Sequence, residues 1–140
     1  INVKYFILLP SINYVGSEVD NFQWSMMLRS ISSYRAFKWA YGEEEINYIK
    51  IIDFLILNMT CPRSLFFSIE KIKHHLERLT NFYKQNSIAK SKITSMYNKF
   101  RKLNADKISD LGLHEFLKFF IKDINLIYNE LEKKYFLGLE

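Results

Sequence analysis

The chain has 140 residues, of which 49% are hydrophobic and 16% aromatic, with 4 glycines and 2 prolines. That length suits one domain, and so apolar and breaker-poor a composition excludes both a disordered chain and a loop-rich β architecture. The formal net charge of +5 points to solubility first and to an acidic partner second, because Lys, Ile, Asn, Tyr and Phe are enriched along the whole chain rather than in one basic segment. The lone Cys61 excludes an intramolecular disulfide and cannot by itself build a thiolate metal site.

Ile1 to Leu9 reads as a helix end closed by Pro10, with neither a basic n-region nor a small-residue cleavage site. No apolar run approaches the roughly 20 residues that span a bilayer, so a cytoplasmic protein without membrane contact is expected. Ser11 to Asp20 is the longest loop candidate. Asp20 or Asn21 is expected to cap a helix in which Phe22 and Met26 mark successive turns, with Trp24, Met27, Leu28 and Ile31 beside them. Ser32 or Ser33 then precedes a short helix, Tyr34 to Tyr41, stopped by Gly42. Glu43, Glu44 and Glu45 suit the positive end of the next helix, whose run from Ile51 to Leu57, interrupted only by Asp53, predicts burial on most sides.

Thr60-Cys61-Pro62 is the sharpest boundary, and a helix is expected to start at Pro62, where the missing amide would have had no partner. Leu65, Ile69, Ile72, Leu76 and Leu79 form its apolar stripe. Asn86 and Ser87 suggest a break, followed by a helix through Ile93, Met96, Tyr97, Phe100 and Leu103. Asn104 to Asp110 reads as a polar turn, and Leu113 to Leu131 as a last helix running toward Leu137. These elements predict an all-α fold, an antiparallel bundle of about six helices without a sequence repeat.

Between Trp24 and Leu79 the order of features is distinctive: Trp24 with Met27 and Leu28, Phe37, Tyr41-Gly42, Phe54-Leu55-Ile56-Leu57, and Pro62-Arg63-Ser64-Leu65. It resembles the central part of the bacterial alpha-E family of helical proteins. In that family an acidic residue commonly follows the apolar run and an Asn precedes the proline, where this chain has Asn58 and Cys61. The family's Glu-Arg signature has no counterpart in an early helix here, and Glu77-Arg78, late in the helix after Pro62, reads as coincidental. The resemblance implies that residues 1–140 form one all-helical domain, the central part of a longer alpha-E domain. It also implies an association with permuted ATP-grasp ligases and transglutaminase-like proteins, and no established catalytic residues or cofactor.

Candidate chemistry is sparse. Glu70, His74 and His75 offer too few ligands for a metal, since a bundle di-metal site takes Glu-x-x-His pairs from two helices, and solvated histidines are the simpler reading. Cys61 at a helix N-terminus has a thiol that the dipole would acidify, but it lacks a base nearby in sequence unless the fold brings His114 close; a small residue before a helical proline explains it adequately and is the favoured reading. Between Leu79 and Ala105 there is no acid, but there are Lys84, Lys90, Lys92, Lys99, Arg101 and Lys102. Tyr83 and Tyr97 lie in the same stretch as possible base-stacking partners. No nucleic-acid motif accompanies it, so a solvated face or an acidic protein partner ranks ahead of nucleic acid. Arg29 and Arg63 carry planar forks suited to a carboxylate or phosphate. The expected binding residues are Arg63, Lys99, Arg101 and Lys102, with no catalytic or metal-binding residue. The expected role is an accessory or interaction module for an ATP-grasp-type peptide or amide ligase; the alternatives are a component of an amide-bond-forming enzyme and a basic nucleic-acid-binding module.

Overall fold

A computed structural model describes residues 17–42, 45–84 and 87–136. The helix end expected at Ile1 to Leu9, Pro10 and most of the loop after it lie outside these residues, as do Glu43 and Glu44. The described residues form seven α-helices and no strand: α1 (Glu18–Ser30), α2 (Tyr34–Tyr41), α3 (Tyr48–Ile52), α4 (Leu65–Tyr83), α5 (Ile88–Phe100), α6 (Ala105–Leu111) and α7 (Leu113–Leu131). π-helical turns extend α3 over Asp53–Leu57 and α7 over Glu132–Phe136.

The caps explain most differences from the sequence reading. Ser17, not Asp20 or Asn21, begins α1: its hydroxyl accepts the Asp20 amide at 3.2 Å, which leaves Glu18 and Asp20 in the first turn, where the helix dipole favours them. The buried face of α1 is Trp24, Met27 and Leu28, while Phe22 and Met26 are exposed, so the expected stripe is rotated. Asn47 caps α3 through the Lys50 amide at 3.0 Å, so Glu45 lies ahead of that helix rather than in it. The segment read as a polar turn, Asn104 to Asp110, is helical as α6, because the Asn104 carboxamide accepts the Lys107 amide at 2.9 Å and turns Ala105 and Ile108 into the core.

Between α1 and α2 the Ser32 φ of 55° and two hydrogen bonds, Ser33 N–H to Leu28 O at 2.8 Å and Ser32 N–H to Arg29 O at 3.0 Å, make a Schellman stop with serine in the left-handed position. Gly42 (φ 64°) ends α2, and Gly112 (φ 83°) alone separates α6 from α7; both conformations favour glycine.

Burial converges on α3 and its π turn, where Ile51, Ile52, Phe54, Leu55 and Ile56 are at most 1% exposed and, from Ile51 to Ile56, Asp53 alone is exposed, as the sequence run predicted. Each such side chain contributes about 1.5–3 kcal/mol relative to an exposed one. Phe37 and Tyr41 of α2 stack at 4.8 Å, and Phe54 meets Phe37 edge-on at 5.3 Å. Helices α4, α5 and α7 pack antiparallel: Phe66 meets Tyr97 and Phe100 across the first pair, and Phe100 meets Phe116 and Phe120 across the second. Helix α6 bridges α3 and α7.

Candidate functional site: a groove between two helices

The family-like segment after the π turn is a closed hydrogen-bonded latch. The Asn58 carboxamide oxygen accepts three bonds, from Thr60 N–H at 2.8 Å, Thr60 Oγ1 at 3.0 Å and Cys61 N–H at 2.7 Å. The fully buried Ser64 hydroxyl donates to the Asn58 carbonyl and accepts the Phe67 amide at 3.0 Å, capping α4. Helix α4 therefore begins at Leu65, and Pro62 and Arg63 belong to the turn before it rather than to its first positions. Cys61 is buried and lies ahead of the cap, so it does not occupy the helix N-terminus expected for an acidified thiol. Arg63 is exposed in that turn, and Arg29 lies over the Tyr34 ring at 4.0 Å.

Nearby, the Tyr41 hydroxyl donates to the Asp53 carboxylate. Burial first, then this bond and the Asp53 charge, raise the Tyr41 phenol well above its ordinary range. Burial likewise raises the Tyr48 phenol, opposed by the nearby Leu113 backbone and Ser109 side chain. His74 and His75 are exposed, their ring centroids 6.0 Å apart. Among the described residues no three His, Cys, Asp or Glu side chains stand close enough to hold a metal ion.

A groove of about 430 Å³ lies between α5 and α7. Phe100, Phe116 and Phe120 form its floor, Met96 and Leu103 its α5 side, and Leu111 and Phe119 its lip. Both lip residues are exposed, at 64% and 65%, although each is a large apolar side chain. The spacing of Met96, Phe100 and Leu103, and of Phe116 and Phe120, is the helical spacing by which sequence recognises a core face; here part of that face opens outward.

Charge on the groove is divided between the helices. Lys99 and Lys102 line it from α5 and the turn after it, Glu115 and Asp123 from α7. Glu115 pairs with Lys118 at 3.0 Å, an exposed contact worth little. A smaller cleft of about 150 Å³ continues past Met96 between Lys92 and Lys99 on one side and Asp123 on the other. The structure thus brings Lys99 and Lys102 together on one groove; Arg101 is exposed but does not line it, and Arg63 stands in a different turn. The sequence reading missed the aromatic floor, because Phe116 and Phe120 carry the same spacing as core residues and only α5 beside them shows which part stays open.

These features define an all-α helical domain with an open apolar groove. The chain belongs to the Alpha-E family: the family model, described as a predicted alpha-helical domain with a conserved ER motif, matches residues 1–136. Comparison with curated proteins and with solved structures gives no match. The one Glu-Arg dipeptide of the sequence, Glu77-Arg78, lies in the later part of α4. There Lys73 bonds the Glu77 carboxylate at 2.6 Å, and that bond, with the charges of Lys73 and Lys90, holds it below the usual carboxylate range. Among the described residues no helix is long and apolar enough to cross a membrane.

Proposed function

We propose that this Alpha-E chain is an accessory, partner-binding module of an ATP-grasp-type peptide or amide ligase system. The observation that carries the interaction role is the α5–α7 groove, in which an aromatic floor and two exposed apolar lip residues adjoin a charged border. Exposed apolar patches rimmed by polar groups characterise surfaces that bind partners. The choice of ligase rests on the association with ATP-grasp ligases that the alpha-E resemblance implies.

The test is co-expression of the full chain with an ATP-grasp ligase of the same organism, followed by affinity purification and size-exclusion chromatography. A stable complex at micromolar concentration is the expected result. Two proteins that elute separately at that concentration would refute the assignment. Measuring ATP consumption by the ligase with and without the chain then separates a docking role, in which turnover is unchanged, from participation in the reaction.

A further inference from the structure

We infer that the α5–α7 groove receives one amphipathic helix of a partner protein, with acidic residues along the edge facing α5 and basic residues along the edge facing α7. This deepens the reading of the chain as an interaction module and rests on it. The groove follows α7 from Glu115 to Asp123, about 12 Å at 1.5 Å per residue, the length over which a docked helix presents apolar anchors at i, i+3 or i+4, and i+7.

The charge pattern selects the occupant. Among the described residues neither the Lys99 nor the Lys102 ammonium has a hydrogen bond or ion pair, and both stand on the α5 border, with Lys92 continuing that border in the adjoining cleft. Asp123 and Glu115 stand on the α7 border. A helix whose apolar stripe is edged by acids on one side and bases on the other satisfies both borders in one orientation and meets like charges in the reverse one, as flanking charges do in paired helices. The open lip favours a helix over a small amphiphile, since Leu111 and Phe119 remain in water unless something broad covers them.

The probes are fluorescein-labelled, side-chain-stapled helical peptides of about 14 residues with leucine at the anchor positions. Four edge arrangements are compared by fluorescence anisotropy against the full chain: one acidic and one basic edge as inferred, both edges acidic, both edges basic, and both edges neutral. The inferred arrangement is expected to bind more tightly than the neutral one and at least tenfold more tightly than the two like-charged ones. In the variant K99E/K102E, whose two borders are both acidic, the preference should pass to the peptide with both edges basic, and F119D should weaken every peptide at least tenfold while circular dichroism stays unchanged. Equal affinity for the four arrangements, or no saturable binding up to millimolar peptide, would overturn the inference. Concentration-dependent dimerisation abolished by F119D would overturn it in favour of a second copy of the chain. Tighter binding of a fluorescent fatty acid than of any peptide would do so in favour of a small amphiphile. A ligase complex insensitive to F119D would refute the groove while sparing the interaction role; peptide binding without any ligase complex would refute the ligase and spare the groove.

Discussion

Ser64→Ala isolates the latch that joins the π turn to α4. The Ser64 hydroxyl is fully buried and makes two bonds, donating to the Asn58 carbonyl and accepting the Phe67 amide at 3.0 Å. Losing an N-cap oxygen costs about 0.5–2 kcal/mol, and leaving a second buried polar group without its partner costs about 1–3 kcal/mol. Some relaxation of the turn offsets part of this, so about 2–3 kcal/mol is expected, equivalent to a fall in Tm of roughly 6–10 °C for a domain of this size. Ser33 provides the internal control. It occupies the same position before α2 and is equally buried, but its side chain makes no capping bond and its one contact, to Ile31 O, is 3.4 Å long. Ser33→Ala should therefore cost less than about 0.5 kcal/mol. Urea unfolding followed by circular dichroism at 222 nm measures both. Equal losses for the two variants, or a loss below about 0.5 kcal/mol for Ser64→Ala, would refute the assignment of a capping role to the latch.

Ser32→Gly should stabilise the protein by about 0.5–1 kcal/mol, because Ser32 holds a left-handed φ of 55° in the Schellman stop; a lower urea midpoint would show that its side chain matters more than its backbone. Gly112→Ala should destabilise by about 1–3 kcal/mol through strain at φ 83° alone, since an added Cβ there meets nothing within 4 Å; the urea midpoint tests it. Tyr41 has a phenol pKa raised by burial and by its bond to Asp53, so its contribution to stability is complete below the unfolded value near 10 and declines above it as the unfolded state ionises first. Urea titrations from pH 9 to 11 should show a smaller alkaline loss in Tyr41→Phe than in the parent chain, and parallel curves would count against that linkage.

The all-α architecture is legible because burial and period coincide where a helix is covered on one side: α2 runs from Tyr34 to Tyr41 as its flanking Ser33 and Gly42 suggest. Legibility falls where the cap competes with more conspicuous residues. Pro62 marks a boundary, but Ser64 makes the capping bond, three residues after Cys61 and out of the reach of a rule that starts helices at proline. Helix α6 is missed because Asn, Asp and Lys dominate Asn104 to Asp110, and only packing reveals that Ala105 and Ile108 are its buried pair. The role of Asn58 is likewise set by geometry that the sequence does not show: its carboxamide oxygen accepts from three donors in the turn that follows it.

The basic stretch from Leu79 to Ala105 shows why charge read along a chain differs from charge read across a surface. The stretch contains no acid, yet Lys90 contributes to holding the Glu77 carboxyl low, and Lys92 and Lys99 share a cleft with Asp123 of α7. A strip able to follow a phosphate backbone would keep its cations free of such neighbours, because each carboxylate repels the polyanion and lowers the number of counterions a bound lysine releases. The full chain should therefore bind single-stranded oligonucleotides weakly, with a log–log salt slope no steeper than about −2. E115Q/D123N should steepen that slope by removing the interspersed negative charge. A parent chain with a slope near −4 that K99E/R101E/K102E abolishes would refute this reading and restore nucleic acid as the partner of α5.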